Sequence, residues 1–249
     1  MLLSVGQLSR YFDVRPAGVL HVGAHAAEEA GDYATHGWQP VIWVDMLPEN
    51  CEALRRRFAG DPRNIVLQAA CWDADGEQLP VFRGSNSQAS SLLEPQDHVT
   101  LYPGITFSQD AGMATSRLDS ILPADSKFDY LSLDIQGAEL RALRGLGRHL
   151  AGIKWACIEV NTRHLYSGGA LMSELDAFMH EAGFLRLLTR MAGTKGWGDA
   201  LYISTRLLQH AQVRRLQRRA ALWSAYTSVV DFPRLLRPRA LARRFRGAA

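Results

Sequence analysis

Short apolar runs alternate with amphipathic stretches along most of this chain. The apolar runs predict buried strands at 19–23, 41–45, 65–72, 132–136 and 155–161. Apolar residues at helical spacing predict helices at about 26–37, 48–60, 137–150 and 172–184. Strands that alternate with helices favour a doubly wound, Rossmann-type α/β sheet, which binds its ligands at the carboxyl ends of the strands.

Weaker patterns and one long polar interval complete this region. Further strands are predicted at 79–84, after a turn rich in Asp and Gly, and near 185–189 and 200–204. The interval 85–116 is long for a connection within a compact domain. Connections of that length are usually lids, binding segments or disordered chain, so we expect an irregular loop that carries function.

Charge divides the chain after Thr205. Residues 206–249 contain 11 arginines and one acid, Asp231, for a net charge of +10, whereas residues 1–205 carry a net −7. This asymmetry predicts a folded domain over 1–205 and a basic interaction element over 206–249. Apolar residues at helical spacing opposite arginines predict a basic amphipathic helix in this tail. The apolar set is Leu208, Ala211, Leu216, Ala220, Trp223, Tyr226 and Val230, the basic set is Arg214, Arg215, Arg218 and Arg219, and the candidate anchors after Pro233 are Leu235, Leu236, Leu241 and Phe245.

Several explanations of this tail stay open. The helix packs on the acidic body or forms a homodimer contact, or it binds an anionic membrane surface, where each arginine adds about 1 kcal/mol. Disorder is a further alternative. Nucleic acid would use the same charge, but the tail has no recognised reading motif and the body is acidic, so no nucleic-acid partner is expected.

The cysteines and the start of the chain bear on the compartment. The three cysteines, Cys51, Cys71 and Cys157, show no CxxC or Cys/His ligand spacing, and their odd number argues against a disulfide framework. Residues 1–18 lack the basic start and apolar run of a signal peptide, and no apolar stretch is long enough to span a membrane. We expect a cytoplasmic protein, at most peripheral to a membrane.

The segment 19–45 combines a strand, a glycine turn, a helix and a second strand that ends in an acid. In an open α/β sheet, a glycine such as Gly23 lets a ligand approach the backbone, and an acid such as Asp45 accepts hydrogen bonds from a ribose. A dinucleotide site needs two further glycines, and His25 and Glu28 stand in their places, which disfavours a nicotinamide-dependent oxidoreductase. A carboxylate would instead attract the cationic amino-acid portion of S-adenosylmethionine. The alternative is an ordinary βαβ unit whose glycine serves only the turn.

Several motifs, in order, carry a more specific resemblance. They are VGAH at 22–25, VDMLPEN at 44–50, ASSLLEP at 89–95, SRLDSIL at 116–122, LDIQGAELRALRG at 133–145 and GDALYIS at 198–204. Over roughly residues 18–205 the chain resembles the FkbM family of S-adenosylmethionine-dependent methyltransferases. The chain departs from the family pattern at Gln136, where glutamate is usual, and at Asp45, where glutamate is common. The resemblance implies a class I methyltransferase fold and S-adenosylmethionine as the cofactor.

The resemblance and the predicted topology together assign cofactor contacts at the strand ends. The predicted contacts are Gly23, His25, Glu28, Asp45, Cys71, Trp72 and Asp134. His25 and Glu28 would lie near the methionine portion, and Asp45 would accept hydrogen bonds from the ribose. The cysteine and the tryptophan would flank the adenine, with a core position as the alternative for Trp72. Asp134 would contact the amino group or face the acceptor, with capping of the next helix as the alternative.

A base within hydrogen-bond reach of an acceptor hydroxyl would help methyl transfer. The candidates for this base are Asp134, Glu159, His164 and His25. The predicted catalytic residues are His164, Asp134 and Glu159, and His164, in the loop after the strand 155–161, is the first choice. A surface or core hydrogen-bonding role is the alternative for this histidine. A divalent metal is not favoured, because Asp134, Glu159 and Asp199 could hold one only if the fold brings them together. Glu139, inside the next helix, is expected to hold a structural partner.

The resemblance favours an oxygen acceptor, so we expect O-methylation of a sugar hydroxyl on a glycan, glycolipid or related natural product. The predicted carbohydrate contacts in the long interval are Ser90, Ser91, His98, Tyr102 and Phe107. Binding of the tail to a membrane would favour a lipid-linked glycan as the acceptor. The alternative function is a catalytically silent member of the same fold that binds a glycan or a partner.

Overall fold

The computed structural model describes the backbone of residues 1–235 and the side chains of residues 1–225. A seven-stranded sheet has the spatial order β3 (Asn64–Gln68), β2 (Val41–Asp45), β1 (Val19–Val22), β7 (Tyr130–Leu133), β8 (Trp155–Asn161), β10 (Trp197–Ser204) and β9 (Phe184–Met191). The first five strands are parallel, and β10 is antiparallel to both of its neighbours. The strand order reverses between β1 and β7, where doubly wound sheets bind their ligands. The predicted Rossmann-type fold is confirmed.

A second, three-stranded sheet corrects two predictions. Its spatial order is β4 (Ala70–Cys71), β6 (Phe107–Ser116) and β5 (Gln78–Gly84). The predicted strand 65–72 is therefore two strands, which divide at Ala69 and belong to different sheets. The interval 85–116 is not an irregular loop, because it contains the whole of β6, which pairs antiparallel with β5. Most residues of β6 are exposed, so the segment has no apolar pattern to reveal a strand, and pairing with its neighbour stabilises it.

The helices are shorter than predicted around the site. They are α1 (Val5–Phe12), α2 (Ala30–Thr35), α3 (Pro48–Arg57), α4 (Asp97–Leu101), α5 (Leu118–Ile121), α6 (Glu139–Gly145), α7 (Met172–Glu181) and α8 (His210–Leu235). The predicted helix 26–37 begins only at Ala30, because residues before it form turns in which His25 and Ala27 have positive φ. Residues 136 and 137 likewise form a turn, and α6 begins only at Glu139. These turns leave backbone and side chains of the strand ends open to the crevice above the sheet.

Helices cover both faces of the main sheet. Alternate strand residues point to opposite faces, so Leu20 and Leu131 join one buried cluster with α5, α6 and α7. Val19 and Tyr130 join another cluster with α1, α2 and α8. Because both faces are buried, the parallel strands read as continuous apolar runs rather than as alternating ones.

The first half of the tail helix α8 packs on the body. Leu208, Leu216 and Ala220 are buried in the same cluster as α1, and the rings of Phe12 and Trp223 meet edge to face at 6.1 Å between centroids. Arg214, Arg215 and Arg218 are exposed. The predicted anchors Leu236, Leu241 and Phe245, and the side chains of Tyr226, Val230 and Leu235, lie outside the described residues. Among the described helices, α8 included, none is long and apolar enough to cross a membrane.

Candidate active site

Two adjoining cavities lie at the carboxyl ends of β1, β2 and β7. The first has a volume of about 60 Å³ and the second, which also reaches the end of β8, about 430 Å³. Residues that line both cavities are Gly23, His25, Gln88, Asp134 and Gln136. The shared wall makes the two cavities parts of one crevice, at the point where the strand order reverses.

Gly23 allows the strands beneath the crevice to come together. Its φ is +89°, and a Cβ at this position would lie 1.8 Å from the carbonyl oxygen of Asp134 on the neighbouring strand. No side chain fits there, so this glycine serves the contact between β1 and β7 as well as lining both cavities.

Asp45 ends β2 in the first cavity, as predicted, and its carboxylate is held in place by the protein. It accepts hydrogen bonds from the backbone N–H of His25 at 2.7 Å, the backbone N–H of Leu47 at 2.8 Å and the side-chain amide of Asn50 at 3.1 Å. The side chain is 8% exposed. A carboxylate has about four acceptor positions, so this group can accept a further hydrogen bond from a ligand hydroxyl in an orientation fixed in advance.

Only one of the two predicted adenine contacts lines a cavity. Cys71 lies in the wall of the first cavity, and burial raises the pKa of its thiol to about 12, so it is a neutral, weakly polar surface. Trp72 lines neither cavity. It packs in a third core cluster with Ala70 and Val81, and the guanidinium of Arg141 lies 5.0 Å from its ring centroid. The structure places this tryptophan in the core, the alternative left open above.

The segment 85–91 is tied to the glycine turn over the first cavity. His25 Nδ1 lies 2.8 Å from Glu28 Oε1, and its Nε2 lies 2.8 Å from Ser87 Oγ. Gln88 Nε2 donates to the same Glu28 oxygen at 2.9 Å. The hydrogen bond to Glu28 raises the pKa of His25. Burial opposes ionisation of Glu28, but its hydrogen bonds outweigh burial and lower its pKa to about 2.

Ser87 and Gln88 were not predicted, because a polar run such as SNSQASS looks like any solvated loop. The family resemblance did include the ASSLLEP motif just after them.

A group of acidic side chains lies where the two cavities meet. Gln136 Nε2 donates to Asp134 Oδ1 at 2.7 Å and to Glu159 Oε2 at 3.1 Å. Gln136 has a φ of +55°, a backbone conformation that non-glycine residues adopt rarely and that marks a position fixed by its surroundings. Burial, and then the charges of Asp134 and Glu139, raise the pKa of Glu159.

Glu139 lies behind this group and is fully buried. Its Oε1 accepts hydrogen bonds from the backbone N–H of Ile135 at 3.0 Å and of Gly137 at 3.1 Å. The carboxyl group therefore fixes the turn that carries Gln136, which is the structural partner expected for it. Burial raises its pKa to about 7.

His164 lines neither cavity. Its Nδ1 lies 3.1 Å from the carbonyl oxygen of Gly169, a contact that holds its own loop. Asp199 does line the second cavity, where its Oδ2 accepts hydrogen bonds from the backbone N–H of Leu2 and, at 3.0 Å, of Leu3. Of the carboxylates named as candidate metal ligands, Asp134 and Glu159 lie close together. The third member of this group is Glu139 and not the predicted Asp199.

Aromatic side chains line the other side of the second cavity. Trp197 Nε1 donates to the Tyr102 hydroxyl at 2.6 Å, and the ring of His98 lies 4.9 Å from that of Tyr102. All three line the cavity. Phe107 packs edge to face on His98 from behind. Of the predicted carbohydrate contacts, two therefore lie at the second cavity.

The two predicted serines contribute differently. Ser90 lines the first cavity, whereas the Ser91 hydroxyl donates to the Gln136 carbonyl at 2.8 Å. Tyr166 was not predicted as a site residue, although its hydroxyl lies 2.9 Å from Gln136 Oε1. A buried tyrosine gives no distinguishing pattern in the sequence.

The second cavity has an acidic lining. Its carboxylates belong to Glu28, Glu29, Asp134, Glu159 and Asp199. Among the described residues that line it, none is Lys or Arg, and the amino group of Met1 pairs with Glu29 at 3.3 Å. Glu159 and Asp199 are buried, where like charges repel strongly, so the cavity suits neutral or cationic ligands and repels anionic ones.

Comparison with solved structures finds methyltransferases and a Rossmann-type protein at low identity. A ribosomal-protein methylase from Lactobacillus delbrueckii subsp. bulgaricus is 15% identical over 80% of this chain and 78% of its own, with a TM-score of 0.46. Magnesium protoporphyrin IX methyltransferase from Synechocystis PCC 6803, with bound S-adenosylmethionine, is 10% identical over 75% and 69%, with a TM-score of 0.44. A protein of the NAD-binding Rossmann superfamily from Streptococcus agalactiae is 13% identical over 83% and 72%, with a TM-score of 0.45. The fold assignment rests on the strand order given above and not on these likenesses.

Comparison at the level of sequence families is more specific. No curated protein sequence matches the chain. The family model described as the methyltransferase FkbM domain matches residues 21–186, which include the glycine turn, Asp45 and the acidic group. The chain therefore belongs to the FkbM family of S-adenosylmethionine-dependent methyltransferases.

Proposed function

We propose that the protein transfers the methyl group of S-adenosylmethionine to a hydroxyl of a neutral sugar, on a glycan, glycolipid or related natural product. The observation that carries this proposal is the meeting of the two cavities at Asp134. A cofactor in the first cavity and an acceptor in the second would bring their reacting atoms together beside this carboxylate.

The first cavity supports the cofactor half of the proposal. Asp45 would accept hydrogen bonds from the ribose hydroxyls, and Val44, Met46 and Leu92 supply apolar walls for the base. The ammonium and sulfonium groups would point towards the carboxylates of the second cavity, which attract cations. The segment 85–91 forms part of the wall of this cavity through Ser87, Gln88 and Ser90.

The second cavity supports a neutral sugar as the acceptor. Tyr102, Trp197 and His98 present ring faces and edges to a cavity of about 430 Å³, a combination that suits a sugar's apolar faces and its hydroxyls. The carboxylates of the same lining can accept hydrogen bonds from sugar hydroxyls but would repel uronic acids and phosphorylated sugars.

The chemistry requires positioning and a proton acceptor. Bound S-adenosylmethionine supplies an electrophilic methyl group, so that an O–CH₃ bond forms as the S–CH₃ bond breaks and S-adenosylhomocysteine is left. The cavity walls would orient the acceptor hydroxyl towards the methyl group, and orientation of this kind contributes several kcal/mol. The Asp134 and Glu159 carboxyl pair accepts the hydroxyl proton, because His164 lines neither cavity and both ring nitrogens of His25 already have partners.

A binding and transfer experiment tests this function. Calorimetry of the full-length protein with S-adenosylmethionine and S-adenosylhomocysteine, with NADH as the control ligand, should show binding of the two sulfur compounds only. Incubation with methyl-labelled S-adenosylmethionine should then label neutral glycans and leave uronic acids and sugar phosphates unlabelled. Binding without transfer to any neutral glycan would favour the catalytically silent alternative, and labelling of anionic sugars would contradict the acceptor class.

We also propose that the basic tail draws the protein to anionic membranes, where lipid-linked glycans are found. Arg214, Arg215 and Arg218 of α8 are exposed, and so is Ala211 of the predicted apolar set, while Leu216 and Ala220 pack on the body. The attraction would therefore be mainly electrostatic and would weaken with salt.

Sedimentation with vesicles that contain phosphatidylserine tests the tail in the intact chain. The double variant Arg214→Glu with Arg215→Glu should sediment less than the wild type. The matched variant Arg55→Glu with Arg56→Glu, on the exposed face of α3, should sediment as the wild type does. Equal loss in both variants would show that overall charge, and not the tail, governs binding.

A further inference from the structure

We propose that Asp134, Glu139 and Glu159 hold a hard divalent cation such as Mg²⁺ or Mn²⁺ at the wall of the second cavity. Each of the three residues contributes one carboxylate oxygen, and these three oxygens lie within 4.8 Å of one another. This spacing is compatible with oxygen ligands arranged around a cation at about 2.1 Å each. Carboxylate oxygens are also the ligands that these ions select over nitrogen or sulfur.

Two buried oxygens at this group have no hydrogen-bond partner among the described residues. They are Oε2 of Glu139, a residue that is 0% exposed, and Oδ1 of Asn161, which is 4% exposed. The Asn161 amide adjoins the group, because its Nδ2 lies 3.4 Å from Glu159 Oε1. A buried oxygen without a partner is unfavourable, and a cation held by Glu139 would supply the interaction that its Oε2 lacks.

The hydrogen bonds of Tyr166 also concern the acidic group. Its hydroxyl has one proton but lies 2.8 Å from the Ala89 carbonyl oxygen and 2.9 Å from Gln136 Oε1, both acceptors. Rotation of the Gln136 amide by half a turn exchanges its oxygen and nitrogen without a steric change. The Tyr166 hydroxyl then donates to Ala89 and accepts from Gln136. The amide oxygen then faces Asp134 and Glu159 in place of a donor, and a bound cation would balance these oxygens.

The surroundings give a cation access to the group, and the amino group of Met1 in the same lining pairs with Glu29. Asp134 and Glu159 line the second cavity, so an ion can reach them from solvent, and Glu139 would complete the site from behind. The described lining of this cavity includes no Lys or Arg side chain. If the proposed function is correct, an ion here would also lie beside the acceptor hydroxyl and lower its pKa.

Binding of Mn²⁺ to the full-length protein at neutral pH tests this proposal without cofactor or acceptor. The signal of free Mn²⁺ in electron paramagnetic resonance should fall on addition of protein, with saturation at one ion per chain. Mg²⁺ should compete for the site. Glu159→Gln and Glu139→Gln should each weaken binding by at least about tenfold, since loss of even an outer-shell partner of a metal site costs that much.

Asp199→Asn is the matched control, because Asp199 lies in the same cavity but outside the proposed ligand set. Its Mn²⁺ affinity should fall much less than that of Glu159→Gln. If Glu139→Gln does not fold, as judged by circular dichroism, Glu159→Gln decides alone.

Two outcomes would overturn the proposal. One is the absence of saturable Mn²⁺ binding at millimolar concentration by folded protein, which would mean that shared protons balance the carboxylates. The other is equal weakening of binding by Asp199→Asn, which would mean diffuse attraction to an acidic cavity. Because neither measurement uses S-adenosylmethionine, failure of the metal site and failure of the methyltransferase function can be told apart.

Discussion

The two cavities hold carboxylates in opposite states. In the first cavity, Asp45 accepts three hydrogen bonds from neutral donors. In the second, Asp134 and Glu159 share the amide of Gln136, lie against buried Glu139, and leave buried oxygens without partners. A carboxylate such as Asp45, which already accepts several hydrogen bonds, has a fixed orientation and can orient a neutral hydroxyl. A group of carboxylates short of donors is organised to receive positive charge or a proton.

The largest expected effect is the loss of methyl transfer on Asp134→Asn. An amide cannot accept the hydroxyl proton, so kcat should fall by about 10²- to 10⁴-fold. His164→Ala is the matched test, because His164 lies outside both cavities and its loss should change the rate little. Rates for both variants come from the release of S-adenosylhomocysteine. A large fall in rate for His164→Ala and a small one for Asp134→Asn would identify His164 as the base.

The next effect is the loss of cofactor affinity on Asp45→Ala. A hydrogen bond to a charged group contributes about 1.5–3 kcal/mol, so S-adenosylmethionine should bind about 10- to 100-fold more weakly in calorimetry. Mn²⁺ binding should persist, because Asp45 is not in the acidic group of the second cavity. Asp97→Ala, which removes an exposed partner of Arg163, serves as the control. Unchanged cofactor affinity in Asp45→Ala would refute the ribose assignment.

Gly23→Ala should damage both cavities at once. The added methyl group would lie 1.8 Å from the Asp134 carbonyl oxygen, and the positive φ adds strain of about 1–3 kcal/mol. The free energy of unfolding in urea should fall by at least that amount. Gly31→Ala is the matched control, since its Cβ would meet nothing within 4 Å and alanine favours the helix. Equal stability of the two variants would show that β1 and β7 can separate without cost.

The smallest effect is the pH dependence of the contact between His25 and Glu28 over the first cavity. The pKa of His25 is raised above its usual 6.5, so its stabilisation is complete below about pH 6.5 and is lost as pH rises through the raised value. The pKa of Glu28 is lowered from 4.5 to about 2, so its stabilisation is complete above about pH 4.5 and is lost as pH falls towards 2. The pair is therefore strongest between these limits.

Solvent screens this half-exposed pair, so its removal should cost only about 0.5 kcal/mol. The melting temperature of Glu28→Gln should lie below that of the wild type between pH 4.5 and 6.5, and the two should converge at alkaline pH. A difference that grows as pH rises would contradict the assigned pKa directions.

The sequence predicted the main sheet well because those strands are buried on both faces. The predicted strands 41–45 and 155–161 coincide with β2 and β8, and continuous apolar runs are the pattern that such burial requires. The same argument missed β6, whose exposed residues have no apolar pattern. It also merged β3 and β4, because one apolar run serves two sheets and only the pairing partners separate them.

The candidate site was predictable where a strand end carries a residue of distinctive chemistry. Gly23, Asp45, Asp134 and Glu159 follow or end buried strands, and all four line the crevice. His164 also follows such a strand, but its loop turns the ring towards Gly169. The direction of a loop side chain depends on contacts distant in sequence, which periodicity does not report.

The sequence by itself determined the family, the doubly wound sheet and the strand ends at which chemistry is expected, because these depend on local pattern and on short motifs. Only the tertiary structure decided which side chains meet there. Gln136 bonds with Glu159, 23 positions away, and Tyr166 reaches the same amide from 30 positions away. Such contacts arise because parallel strands β7 and β8 bring their ends together across an intervening helix. The charge state of the acidic group follows from burial among these neighbours, and burial is a property of the folded chain.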